Sequence, residues 1–190
     1  VASGMILDGK QPAGNVGGDS LAALVREAAR DDSVKALVLR IDSPGGSAGA
    51  SEMMARAVFK TRGVKPSLCS MGDIAASGGY FLALAGDEIH VDPSSIVGSI
   101  GVISAGFGFD KAIAKLGIER RVYTAGTAKG TLDPFLPERA DDIERLKSLQ
   151  RDVHETFIAI VKQRRAGKLQ DLEGDLFSGA FWSGPKAVEL

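Results

Sequence analysis

Cysteine is almost missing from this chain, and so is histidine. The single Cys69 excludes an internal disulfide and a cysteine-rich zinc site, and its apolar surroundings read as core. The two histidines, His90 and His154, show no ligand spacing, so no metal or cofactor is expected. Neither charge sign is in excess: 23 Lys+Arg against 24 Asp+Glu leaves a formal charge of −1. That argues against nucleic acid or an anionic membrane surface as a partner, since both select positive excess. No apolar run approaches the ~18 residues of a membrane span, and no signal peptide opens the chain. Both ends read as cut, so a membrane anchor is expected to be absent from these 190 residues. Aromatics are scarce at 6%.

What is abundant is glycine, 24 of 190 residues, nearly twice the usual ~7% and without a repeat. None lies between Asp19 and Pro44 or between Thr131 and Ala166. Those gaps read as scaffold. Ser20 is placed to cap a helix carrying Leu21, Leu24, Val25 and Ala28, and residues 34–41 form a buried strand. A helix over 48–62 and a strand over 66–71 follow. Residues 72–77 read as a turn into a helix carrying Tyr80, Phe81 and Leu82. Strands are expected at 88–91, 96–103 and 121–123, and a helix at 111–116. A long helix over 137–165 carries an apolar stripe of Ile143, Leu146, Leu149, Val153, Phe157 and Ile160/Val161. Strand alternating with helix predicts a single α/β domain with parallel pairing, whose ligands gather at the carboxyl ends of the strands.

Two glycine-rich loops fall at such ends. Ala75-Ala76-Ser77-Gly78-Gly79-Tyr80 puts a serine at a strand-to-helix turn among residues with little side chain, where a carbonyl can approach Oγ and a helix start faces the developing oxyanion. On these residues alone a capping serine is the commoner reading. Asp42-Ser43-Pro44-Gly45-Gly46-Ser47 offers two unshielded N–H groups. Gly46, or Gly45, together with Gly78 would make an oxyanion hole; an ordinary turn leading into a helix is the competing reading. The histidines are poorly placed as a base. Lys129, in a loop of small residues after a strand, serves only if burial lowers its pKa towards neutrality, whereas most lysines are solvated.

Together, Arg40 to Ser47, Ala75 to Tyr80, Val97-Gly98-Ser99-Ile100-Gly101-Val102 and Thr124-Ala125-Gly126…Lys129 resemble the signal peptide peptidase A family of serine peptidases, SppA and SohB; Ala105 to Phe109 resembles the SohB branch. The resemblance implies a ClpP/crotonase-like fold of repeated β-β-α units and a Ser–Lys dyad. Ser77 matches the nucleophile, Lys129 the general base and Ser99 a serine that orients the lysine, while Gly46 (or Gly45) and Gly78 match the oxyanion donors. It further implies hydrophobic peptide substrates such as signal-peptide remnants, a homo-oligomer, and a bacterial inner-membrane location with the catalytic domain facing the periplasm. Asp73 and Ala128 depart from the family pattern without removing a catalytic group. Three alternatives remain: a Ser-His-Asp triad, a crotonase-type acyl-CoA enzyme, and a catalytically inactive binding or scaffold homologue.

Overall fold

The computed structural model describes residues 1–170 and 174–190, and their contacts divide them into two compact units. The first comprises residues 1–101 and 156–190. Its main sheet runs β1 (Ala2–Ser3), β4 (Leu37–Ser43), β5 (Ser67–Ala76), β7 (Ile96–Gly98) and β8 (Phe181–Ser183), parallel until β8, which pairs antiparallel with β7. β6 (Glu88–His90) shares one edge of β5 with β7, taking Leu68–Ser70 while β7 takes Ile74–Ala76. A small parallel pair, β2 (Met5–Leu7) with β3 (Asn15–Gly17), stands beside it. The helices are α1 (Gly18–Arg30), α2 (Ala48–Phe59), α3 (Gly78–Ala83) and α6 (Gly184–Glu189), with a 3-10 turn at Asp175–Phe177. Ile41, Met54, Met71 and Leu82 are fully enclosed in one core, but the strand expected to be buried over 34–41 begins at Leu37 and is buried on one face, with Leu39, Ile41 and Ser43 inside and Val38 65% exposed. Cys69 lies in that core, and burial pushes its thiol up to about 11, so it is an inert packing residue at neutral pH. A second core gathers Leu84, Ile100, Phe157, Val161 and Leu176, with Phe81 edge-on to Phe157 at 5.2 Å.

Four further expectations need correction. Ser20 does not cap α1; the helix begins at Gly18, behind Gly17. Residues 72–77 are not a turn: β5 continues through Gly72 and Asp73 to Ala76. There the register slips, so that Asp42 alone stands opposite three residues of β5. Two side chains make this bulge tolerable. Asp42 Oδ1 accepts the Ile74 N–H at 3.2 Å, and the buried Ser95 hydroxyl donates to the Gly72 carbonyl. Bulges re-aim the residues that follow them, and here those residues lead to Ser77. The strand expected over 96–103 stops at Gly98, because Ser99 turns the chain at φ 52 and gives its N–H to Ala180 O at 2.6 Å. The strand expected at 121–123 is absent, with Tyr123 91% exposed and no neighbouring strand to pair with.

The base of β5 is held by Asp87. Its carboxylate accepts the Ser67 N–H at 2.8 Å, Arg62 Nε at 2.6 Å and the Ser67 hydroxyl at 2.9 Å. These donors, the backbone N–H first, hold its pKa below the ordinary carboxylate value. A depressed carboxylate pKa stabilises above its unfolded value of ~3.9, and the stabilisation is lost as pH falls through the folded value. Asp87→Asn is therefore expected to lower the urea midpoint at pH 7. The gap from wild type should begin to narrow below about pH 4 and close once the pH is below the folded value; a gap independent of pH would show that charge plays no part.

The second unit, residues 102–155, contains α4 (Asp110–Lys115) and the first part of α5 (Ala140–Arg164). Phe107, Phe109 and Phe135 form a row with centroids 6.2 and 5.7 Å apart, and the Phe109 N–H donates to Pro134 O. No residue of this unit is buried. Of the expected α5 stripe only Phe157 and Val161 are buried, both in the first unit, while Leu149 is 62% exposed.

Candidate active site

Ser77 follows directly on β5 and precedes α3. Its backbone has φ 51 and ψ −120, a conformation costing a non-glycine residue on the order of 1–3 kcal/mol. Its N–H donates to Gly98 O at 2.9 Å and its carbonyl accepts the Phe81 N–H, so the turn is fixed from both sides. The side chain makes no capping hydrogen bond. The capping reading therefore fails: Ser77 stands at the cap position, but its hydroxyl is not used there, as Ser47 Oγ is used when it accepts the Ala50 N–H at the start of α2.

The glycine loop after β4 is packed against this turn. A Cβ on Gly45 would lie 2.6 Å from Gly78 N and 2.9 Å from Ser77 Cβ. A Cβ on Gly78 would run into Ser51 Oγ and come within 3.4 Å of Gly46 N. Glycine at both positions is thus a condition of closeness. At Gly46 the condition is stricter still: φ is 147, and a Cβ would overlap the Ile6 carbonyl. The loop is clamped there by β2, with Ile6 N donating to Gly45 O at 2.8 Å and Ser47 N donating to Ile6 O at 2.9 Å. The Gly45 N–H is taken by Ser43 Oγ at 3.1 Å. Among the described residues no partner satisfies the N–H of Gly46 or of Gly78, which leaves two backbone donors from two loops on the Ser77 side of the sheet.

Ser99 belongs to the same place. The register pairs Ala76 with Gly98, so Ser99 leaves its strand beside Ser77, and both carry positive φ. Leu132 is the other non-glycine with positive φ among the described residues. Gly98 accommodates the Trp182 ring, which a Cβ would meet at 2.7 Å, and this contact holds the end of β7. Beyond it a cavity of about 210 Å³ is bounded by Tyr80, Ile100, Leu176 and Trp182, with Arg165 and Lys168 also on its wall. Burial raises the Tyr80 phenol above its ordinary pKa, partly offset by Arg165.

Lys129 lies in the second unit, in a turn closed by its N–H to Gly126 O at 3.2 Å. Its side chain is exposed. The burial expected of it is not supplied within its own unit, where no residue is buried. His90 pairs with Ser70 in the register, seven residues down β5 from Ser77 or roughly 20 Å at strand rise, and its ring contacts Glu88. That distance removes it as a base for Ser77.

Reading the sequence missed Ser43, Ser51 and the Ile6 clamp. Ser51 left a trace: a small polar residue on the inward face of α2, between Ala50 and Met54. Ser43 and Ile6 left none, because their roles come from pairing with distant backbone.

Comparisons with known proteins give the family. Residues 60–190 match the model of peptidase family S49. Over 173 residues the chain is 54% identical to the Na(+)/H(+) antiporter NhaA of Brucella abortus (strain 2308), covering 90% of this chain and 23% of that protein. It is 36% identical to Protease 4 of Haemophilus influenzae and 33% identical to Protease 4 of Salmonella typhi, in each case over 98% of this chain and 30% of the relative. The chain thus spans 23 to 30% of the length of these relatives. Among the described residues no helix is long and apolar enough to cross a membrane. The parallel-dominated α/β sheet is in keeping with the ClpP/crotonase-like fold expected of such peptidases. With more than half its length matched, and with the serine turn and glycine loop in one place, the chain belongs to peptidase family S49.

Proposed function

We propose that this chain carries the catalytic machinery of a serine endopeptidase that cuts hydrophobic peptide segments, signal-peptide remnants among them, with a Ser77–Lys129 dyad. The observation that carries the reading is Ser77 itself: strained, uncapped, and packed beside the N–H groups of Gly46 and Gly78, which have no partner among the described residues. A capping or packing serine has no need of that arrangement. In the reaction, neutral Lys129 Nζ takes the Ser77 hydroxyl proton as Oγ bonds to the peptide carbonyl carbon. The carbonyl oxygen becomes an oxyanion between the Gly46 and Gly78 N–H groups. Lys129 returns the proton to the departing amine as the C–N bond breaks, leaving an acyl ester on Ser77. Water then attacks the ester carbon as Lys129 takes its proton; the C–Oγ bond breaks, the acid leaves and Lys129 returns the proton to Ser77 Oγ. Ser99 orients the lysine.

A neutral amine needs cover from water. The exposed apolar side chains of the second unit, Ile103, Phe107, Leu116, Tyr123 and Leu132, support a homo-oligomer in which neighbouring copies cover this unit. The peptide substrate class and a membrane setting rest on the family resemblance.

The test is a fluorophosphonate probe followed by peptide mass mapping. The expected result is a single covalent adduct on the peptide containing Ser77. No adduct would sink the nucleophile and favour a crotonase-type acyl-CoA enzyme, in which paired glycine amides polarise a thioester and no serine is attacked.

A further inference from the structure

The loop between β4 and α2 has a complete account of its backbone donors. Pro44 has none. The Gly45 N–H is held by Ser43 Oγ at 3.1 Å, and the Ser47 N–H by Ile6 O at 2.9 Å. Only the Gly46 N–H is left. Adjacent glycines with φ 99 and 147 have no intrinsic reason to hold this arrangement, since such backbone rotates freely. Two contacts hold it: Ile6 N donates to Gly45 O at 2.8 Å and so fixes the Gly45–Gly46 peptide, and the hydroxyl of Ser43, a side chain wholly enclosed at the last position of β4, fixes the Pro44–Gly45 peptide. Ser43 is itself fixed: its register partner is Ala75, just before the nucleophile turn, and its carbonyl oxygen would lie 2.6 Å from a Cβ on Gly79.

We propose that Ser43 is a positioning residue that selects the loop's oxyanion donor. By capturing the Gly45 N–H it withdraws that donor and holds one side of the Gly45 Cα, while Ile6 holds the other, so that the Gly46 N–H is the one left for the carbonyl attacked by Ser77. The inference rests on the peptidase reading. It also adds a statement about the apo protein: the Gly45 amide is locked before any substrate arrives. Without the hydroxyl, the Gly45 N–H would be a buried donor with no partner. Buried donors seek one, so the Pro44–Gly45 peptide is freed to rotate, and the Gly45 Cα that carries the Gly46 amide moves with it. Substrate binding does not use that donor in the ground state, so the loss falls on the transition state.

The test compares wild type with Ser43→Ala by two readouts. The first is hydrogen exchange of the Gly45 amide, followed by NMR on the ¹⁵N-labelled full chain. The second is peptide hydrolysis resolved into kcat and KM. The expected result is Gly45 exchange accelerated at least about tenfold, with kcat down roughly 10- to 100-fold and KM within about threefold, since one misdirected donor costs at most what its removal costs. Unchanged exchange, or faster exchange with unchanged kcat, overturns the proposal. If wild type fails to label at Ser77, the peptidase reading falls, and the exchange measurement still decides whether the lock exists. Should Ser43→Ala not fold, Ser43→Cys, of nearly the same shape but a weaker acceptor, takes its place with smaller shifts in the same directions. A Ser43→Cys protein with wild-type exchange and kcat would equally overturn the proposal.

Discussion

Ser77→Ala is expected to lower kcat for peptide hydrolysis by at least about 10⁴-fold while leaving the melting temperature unchanged. The activity loss follows from removing the atom that carries the acyl group: no neighbouring hydroxyl occupies the same strained turn. The unchanged stability follows from the geometry. The Ser77 side chain makes no capping bond, and alanine at φ 51 bears the same strain as serine. The strain can be released separately. Ser77→Gly, equally inactive, should melt higher by about 2–4 °C, corresponding to roughly 1 kcal/mol of relieved backbone energy in a chain of this size. A Ser77→Gly protein no more stable than Ser77→Ala would show that the positive φ costs the fold nothing. An active Ser77→Ala protein would end the serine reading altogether.

Lys129→Ala should lower kcat by about 10²–10⁴-fold, the range spanned by a general base, again without unfolding. Its side chain is exposed and its place in the turn depends on a backbone bond to Gly126, so nothing in the second unit is lost with it. Chemical rescue distinguishes a missing base from a disturbed loop: small primary amines added to Lys129→Ala should restore part of the rate in proportion to their concentration. They should do nothing for Ser77→Ala. Full hydrolysis in Lys129→Ala would reject the dyad and leave the nucleophile seeking another base.

Ser77, Gly46 and Gly78 were legible because their requirement is local: small residues at the carboxyl end of a strand are where a carbonyl can come close. The course of β5 was not. Gly72 and Asp73 look like a strand end, and they remain in the strand only because Asp42 and Ser95 satisfy the bulge from neighbouring segments. Tyr123 shows the opposite failure. Its segment has the composition of a strand, yet a strand exists only where another edge accepts its hydrogen bonds, and composition does not say whether one is present. The environment of Lys129 was beyond reach for a related reason: whether a lysine is buried depends on what covers it, which the residues beside it do not record.

The clamp of Ile6 on Gly46 has a kinetic consequence. The contact joins residues about forty positions apart through parallel pairing, the slower kind of closure. The serine turn can form as soon as β5 and β7 meet, but the glycine loop is unfinished until the first strands of the chain have come back to it. Catalytic competence should therefore lag behind secondary structure on refolding.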